Sequence, residues 1–111
     1  ANILIMGFAF KENCTDHRNT RVVDLFKQFK SFNCNVDIYD PWIDKDQAYK
    51  EYNIKLISEP TKKNYDAIVL AVAHDEFKKL SESQIRDYGK DKHVLYDIKY
   101  LLKANESDGR L

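Results

Sequence analysis

The sequence predicts an α/β domain, with a mostly parallel sheet of about five strands between two layers of helices. Three observations lead there. Apolar runs at Ile3 to Met6, Val36 to Tyr39, Ala67 to Ala73 and Val94 to Asp97 are nearly continuous rather than alternating, as in strands buried on both faces. Helical patterning separates them, and strand alternating with helix is the order that right-handed βαβ units produce. Finally, 111 residues suit one core, and 43% apolar content with 13% aromatics supplies the material to fill it, so residues 1–111 are expected to form a single domain.

Taken in order, the first strand ends at Gly7, and a polar loop follows. Val22, Leu25, Phe26, Phe29 and Phe32 recur at spacings of three and four, which predicts a helix from about Thr20 to Phe32 with Asn19 or Thr20 as its cap. Asp44 to Tyr52 reads as a second, highly charged helix, and Ile54 to Ile57 is a weaker candidate for the fifth strand. After the strand ending at Ala73, Asp75 suits an N-cap and Phe77 a core anchor. Ser81 to Tyr88 predicts a third helix, closed by Gly89 in a left-handed C′ position. The final residues, NESDGRL, read as a loose tail.

Charge and composition exclude several classes. Eighteen basic residues balance eighteen acidic ones, so no overall field favours nucleic acid or an anionic membrane. No apolar stretch approaches the ~20 residues that cross a bilayer, and no signal peptide is present, which predicts a soluble, cytoplasmic domain. Cys14 and Cys34 form neither a disulfide framework nor a CxxC pair, and three scattered histidines give no metal spacing; free thiols and no metal are expected. The chain opens on Ala-Asn and enters a strand by its third residue, which reads as a fragment of something longer.

Ligands of doubly wound sheets sit beyond the carboxyl ends of the strands. Here those positions are Gly7 to Arg18, Asp40-Pro41-Trp42, His74-Asp75 and Lys99-Tyr100. The first loop concentrates Lys11, Arg18 and Arg21, a point charge and two planar forks suited to phosphate or carboxylate. The dinucleotide fingerprint GxGxxG is absent, because Phe8, Ala9, Phe10 and Lys11 follow Gly7; side-chain reach would replace close backbone approach. The competing reading is three surface charges paired with Glu12, Asp16 and Asp24. Cys14 has no general base close in sequence, so it is not read as a nucleophile. Cys34 reads as a small buried hydrophobe, His74 as structural and Asp40 as a turn stabiliser. Trp42 is either a lid on the core or a contact surface.

The segments GFAFKENCTDHRNTRVVD, VDIYDPW, YDAIVLAVAHDEFKKL and VLYDIKYLL resemble, in order and spacing, the C-terminal domain of the UDP-glucose/GDP-mannose dehydrogenases. The resemblance spans Ile3 to about Leu102 and rests most on GxxFKxxxxDxR from Gly7 to Arg18 and on Tyr39-Asp40-Pro41; details are closest to the UDP-N-acetylhexosamine branch. It implies a Rossmann-like three-layer domain that binds a UDP-sugar, within an enzyme that uses NAD twice to oxidise the sugar's C6 alcohol to a carboxylate. Phe10 and Lys11 would line the substrate site, Arg18 would reach the NAD phosphates, and Lys99 would stand where UDP-glucose enzymes carry arginine. NAD itself, the catalytic cysteine and its helpers would belong to N-terminal and central domains of the same enzyme, a homo-oligomer when complete, so no catalytic residue is expected here and the isolated domain should be inactive. Two alternatives are a regulatory module such as a phospho-receiver, which lacks its acidic pair here, and a free-standing nucleotide-binding protein.

Overall fold

The structure, a computed structural model, describes residues 1–8, 22–98 and 107–110. Among them, β1 (Asn2–Met6), β2 (Asn35–Tyr39), β3 (Tyr65–Leu70), β4 (Gly89–Asp97) and β5 (Gly109–Arg110) form one sheet in the order β2-β1-β3-β4-β5. Every neighbouring pair is parallel. The helices are α1 (Val22–Ser31), α2 (Lys45–Tyr52), α3 (Asp75–Lys78) and α4 (Glu82–Arg86).

Successive strand residues face opposite sides, and both sides are apolar. Ile3, Ile5 and Val69 pack with Val22 and Val23 of α1 and Ala48 of α2; Leu4, Met6, Ile68, Leu70 and Leu95 pack with Phe77 of α3 and Ile85 of α4. Two helices per face therefore give the three expected layers. Leu4, Ile5, Met6, Ile68, Leu70 and Leu95 are all fully buried, and each such side chain stabilises the fold by roughly 1.5–3 kcal/mol relative to exposure.

Local chemistry sets the helix ends. At the end of α1, Asn33 adopts a left-handed φ of 61°, and the N–H groups of Asn33 and Cys34 donate back to the carbonyls of Lys30 and Phe29. That pattern is a Schellman motif, with Phe32 at the cap position. Phe32 therefore leaves the predicted stripe and is 71% exposed. Asp44 caps α2 by accepting from the N–H groups of Asp46 and Gln47, and Ser81 and Gln84 form a reciprocal capping box on α4.

Several expectations need correcting. Ile54 to Ile57 is no strand; Ile57 makes only an isolated bridge to Tyr39, and β5 supplies the fifth strand instead. β3 stops at Leu70 because the N–H groups of Ala71 and Val72 both turn to the Met6 carbonyl. Gly89 opens β4 rather than closing a helix, and a Cβ there would meet the His93 ring at 2.5 Å. The regular ladder with β3 still begins at Val94, since the register shifts between Tyr65 and Ala67. Ser107 to Arg110, within the predicted loose tail, are held in place: the Arg86 guanidinium forks onto both Asp108 oxygens at 3.0 and 3.2 Å, and Asp108 Oδ2 accepts from the Leu95 N–H at 2.7 Å. The arginine, followed by that amide, keeps the Asp108 carboxyl below the usual carboxylate range. Cys34 is half-buried and a free thiol, while Cys14 lies outside the described residues.

At the amino-terminal edge, the buried Tyr65 hydroxyl donates to Asp37 Oδ2 at 2.7 Å, tying β3 to β2 across β1. Burial, then this carboxylate, pushes the Tyr65 pKa up to about 12. A group with a raised folded pKa contributes stability that is complete below its unfolded value, about 10, and is lost as pH climbs toward 12. The stability advantage of wild type over Tyr65→Phe should narrow above about pH 10 in urea unfolding curves; a constant gap would contradict this. Gly7 has φ 113°, and an added Cβ would lie 2.6 Å from Val72 Cβ, so Gly7→Ala should cost about 2–4 kcal/mol by urea unfolding, from backbone strain plus overpacking.

Candidate functional site

The carboxyl ends of β1 to β4 form one rim. Backbone bonds carry the ladder just past the strands: Gly7 N–H donates to Tyr39 O at 2.8 Å, Ala71 N–H to Met6 O at 3.0 Å and Ile98 N–H to Leu70 O at 3.1 Å. Among the described residues, the buried polar or charged ones are Asp40, His74 and Asp97, and all three stand at this rim. Burying such groups is costly unless donors and acceptors match, so a concentration of them marks a place where the core was not simply filled with hydrocarbon.

Asp40 sits at the centre. Its Oδ2 accepts the Phe8 N–H at 2.7 Å and the His74 Nε2 at 2.9 Å, while its Oδ1 accepts the Trp42 N–H at 2.8 Å. A carboxylate oxygen offers only lone pairs, so His74 carries its hydrogen on Nε2. The contact to Trp42, two residues on, is the turn stabilisation that the sequence suggested. The other two bonds join the exits of β1 and β3.

His74, rather than Asp75, occupies the N-cap position of α3, yet it makes no side-chain cap bond, because its ring turns inward to Asp40. Trp42 stacks over that ring at 5.9 Å between centroids, and Phe77 meets it edge-on at 5.4 Å. The Trp42 indole N–H donates to Glu76 Oε1 at 2.9 Å. Trp42 is thus a half-buried lid on His74, in keeping with the first of the two readings of this residue. Nearby, burial, followed by the Tyr88 and Glu76 charges, lifts the Tyr39 hydroxyl above its ordinary pKa, so the rim keeps it neutral.

Phe10, Lys11 and Arg18, with Cys14 and Arg21, lie outside the described residues, as does Lys99. Their flanking residues are fixed at the rim. Phe8 is fully buried, with its ring edge-on to Tyr52 at 5.7 Å, and it precedes Phe10 by two positions. Ile98 packs on the same face and precedes Lys99. Gly7 uses its positive φ to let Val72 approach, and Phe8 then dives into the core. That turn is filled by protein and does not fit the glycine-lined seat of a dinucleotide pyrophosphate.

Asp97 was not singled out from the sequence. The signal was present: β2 and β4 both run out in Tyr-Asp, as Tyr39-Asp40 and Tyr96-Asp97, and both aspartates are buried. Among the described residues no group of three His, Cys, Asp or Glu could hold a metal ion, and no helix is long and apolar enough to cross a membrane.

A parallel sheet with helices on both faces, and with its buried polar groups gathered at the carboxyl rim, defines a doubly wound α/β domain of the ligand-binding class. More narrowly, the chain belongs to the UDP-glucose/GDP-mannose dehydrogenase family, whose UDP binding domain matches residues 4–104. It is 51% identical over 111 residues to a UDP-N-acetyl-D-glucosamine 6-dehydrogenase of Salmonella typhi and 50% identical over the same length to one of Pseudomonas aeruginosa. All of this chain is covered in both cases, but only 26% of each relative, so it spans about a quarter of their length. Among solved structures, the UDP-D-ManNAc dehydrogenase of Pyrococcus horikoshii superposes with a TM-score of 0.76 at 22% identity, covering 99% of this chain and 25% of that one, which speaks for the fold alone.

Proposed function

We propose that this chain is the UDP-sugar-binding part of an NAD-dependent nucleotide-sugar 6-dehydrogenase acting on a UDP-N-acetylhexosamine. The observation that carries this reading is identity of about half over all 111 residues with two enzymes named for that activity. Conversion of the C6 alcohol to a carboxylate removes four electrons, so each turnover needs two NAD and one water. The cofactor's seat, the nucleophile and the general base are assigned to the remaining domains of the same protein, in keeping with the missing glycine fingerprint and the filled turn at Gly7. This part's task is positioning: holding an anionic nucleotide so that its sugar meets chemistry supplied from elsewhere.

In this reading Phe10 and Lys11 line the nucleotide-sugar site, Lys11 donates to the sugar, Lys99 adds a second cation, and Arg18 reaches toward the NAD phosphates. The complete enzyme would be a cytoplasmic homo-oligomer, where nucleotide sugars and NAD are at hand. Loss of one charge-assisted hydrogen bond costs about 1.5–3 kcal/mol, so Lys11→Ala should weaken UDP-sugar binding roughly 10- to 150-fold in calorimetric titrations of the intact enzyme. Unchanged affinity would remove the main support for a substrate role of the first loop.

A further inference from the structure

We infer that Asp40, braced by His74, is a positioning residue for the nucleotide sugar, acting through the loop that begins after Phe8. The inference rests on the function proposed above and adds to it a group that touches no ligand. A turn at Asp40-Pro41-Trp42 needs only the bond from the Trp42 N–H to Oδ1. The fold nevertheless buries the side chain completely and gives its other oxygen two more donors, Phe8 N–H and His74 Nε2, from residues 32 and 34 positions away. Of these, Phe8 N–H belongs to the last described residue before the segment containing Phe10 and Lys11. One carboxylate therefore fixes the Phe8 backbone, the last described point before that segment.

The chemistry demands a carboxylate. An asparagine at position 40 has one accepting end and one donating end. Turned either way, it places its NH₂ against a backbone N–H, at Trp42 or at Phe8. His74 does a second job: its ring, packed between Trp42 and Phe77, keeps Oδ2 from rotating away from Phe8. Displacement of a binding group by about 1 Å can cost on the order of a hundredfold, so a small shift in the loop's origin reaches the ligand.

The test uses the intact enzyme with UDP-N-acetylglucosamine as probe, at a temperature where circular dichroism shows each variant fully folded. Asp40→Asn and His74→Leu should each raise the dissociation constant about tenfold or more, and His74→Gln, which restores an N–H at the same reach, should return it to within about threefold of wild type. In a double-mutant cycle, Asp40→Asn should add little to Lys11→Ala, because both act through one loop. Unchanged affinity in folded Asp40→Asn, or full additivity with Lys11→Ala, overturns the inference. If Asp40→Asn does not fold, the two His74 variants decide, and equal affinity in both overturns it. Wild-type enzyme that fails to bind the probe sinks the proposed function itself, and the inference with it.

Discussion

The architecture turns on one buried carboxylate. The sheet order places β1 between β2 and β3, so their three exits lie side by side, and Asp40 receives a donor from each. Hydrocarbon on both sides of the sheet makes that arrangement strong and intolerant at once. In a low dielectric each hydrogen bond is worth more, and a missing partner costs more. The consequences spread outward. His74 gives up its capping role at α3, Trp42 closes over it, and Phe8 enters the core rather than continuing the strand's exit into solvent.

The two edges of the sheet solve different problems. At the amino-terminal edge, polar contacts tie strands together near water: Asp66 accepts from the Asn2 N–H and the Lys90 ammonium, and these, in that order, hold its carboxyl below the usual range. At the carboxyl rim the polar groups are sealed in, and Phe8 and Ile98 there precede the segments that carry Lys11 and Lys99. A division of this kind suits a protein that reads its ligand with side chains on loops, because a loop can aim only as well as its anchor is fixed.

Much of this was written in the chain itself, where pattern is local. The central strands announce themselves because burial on both faces leaves unbroken apolar runs, and the α1 stripe does so through its spacing. Misreadings arose where a few specific contacts outvoted composition. Phe32 keeps the helical spacing, but Asn33 ends the helix beneath it; the polar stretch from Gly89 to His93 hides the start of β4; the tail looks disordered until Arg86 grips Asp108. Of the candidate site, the proposed cations were visible as sequence, whereas the Asp40–His74 pair was not, because a contact between residues 34 apart leaves no periodicity. Asp97 was missed for a different reason, since as the last letter of an apolar run it read as a strand end.

The wholly parallel pairing has a bearing on how the chain comes into being. No two neighbouring strands can zip together from a short hairpin, and Ile3 meets its partner Ala67 only after more than sixty intervening residues exist. During synthesis, β1 and β2 would both be complete well before β3, so β1 would wait, apolar on both sides, with one of its two neighbours missing. Until β3 is made, the nascent domain thus carries a sticky, half-paired strand, and the polar stretch that follows Phe8 in sequence is a solubilising neighbour close at hand.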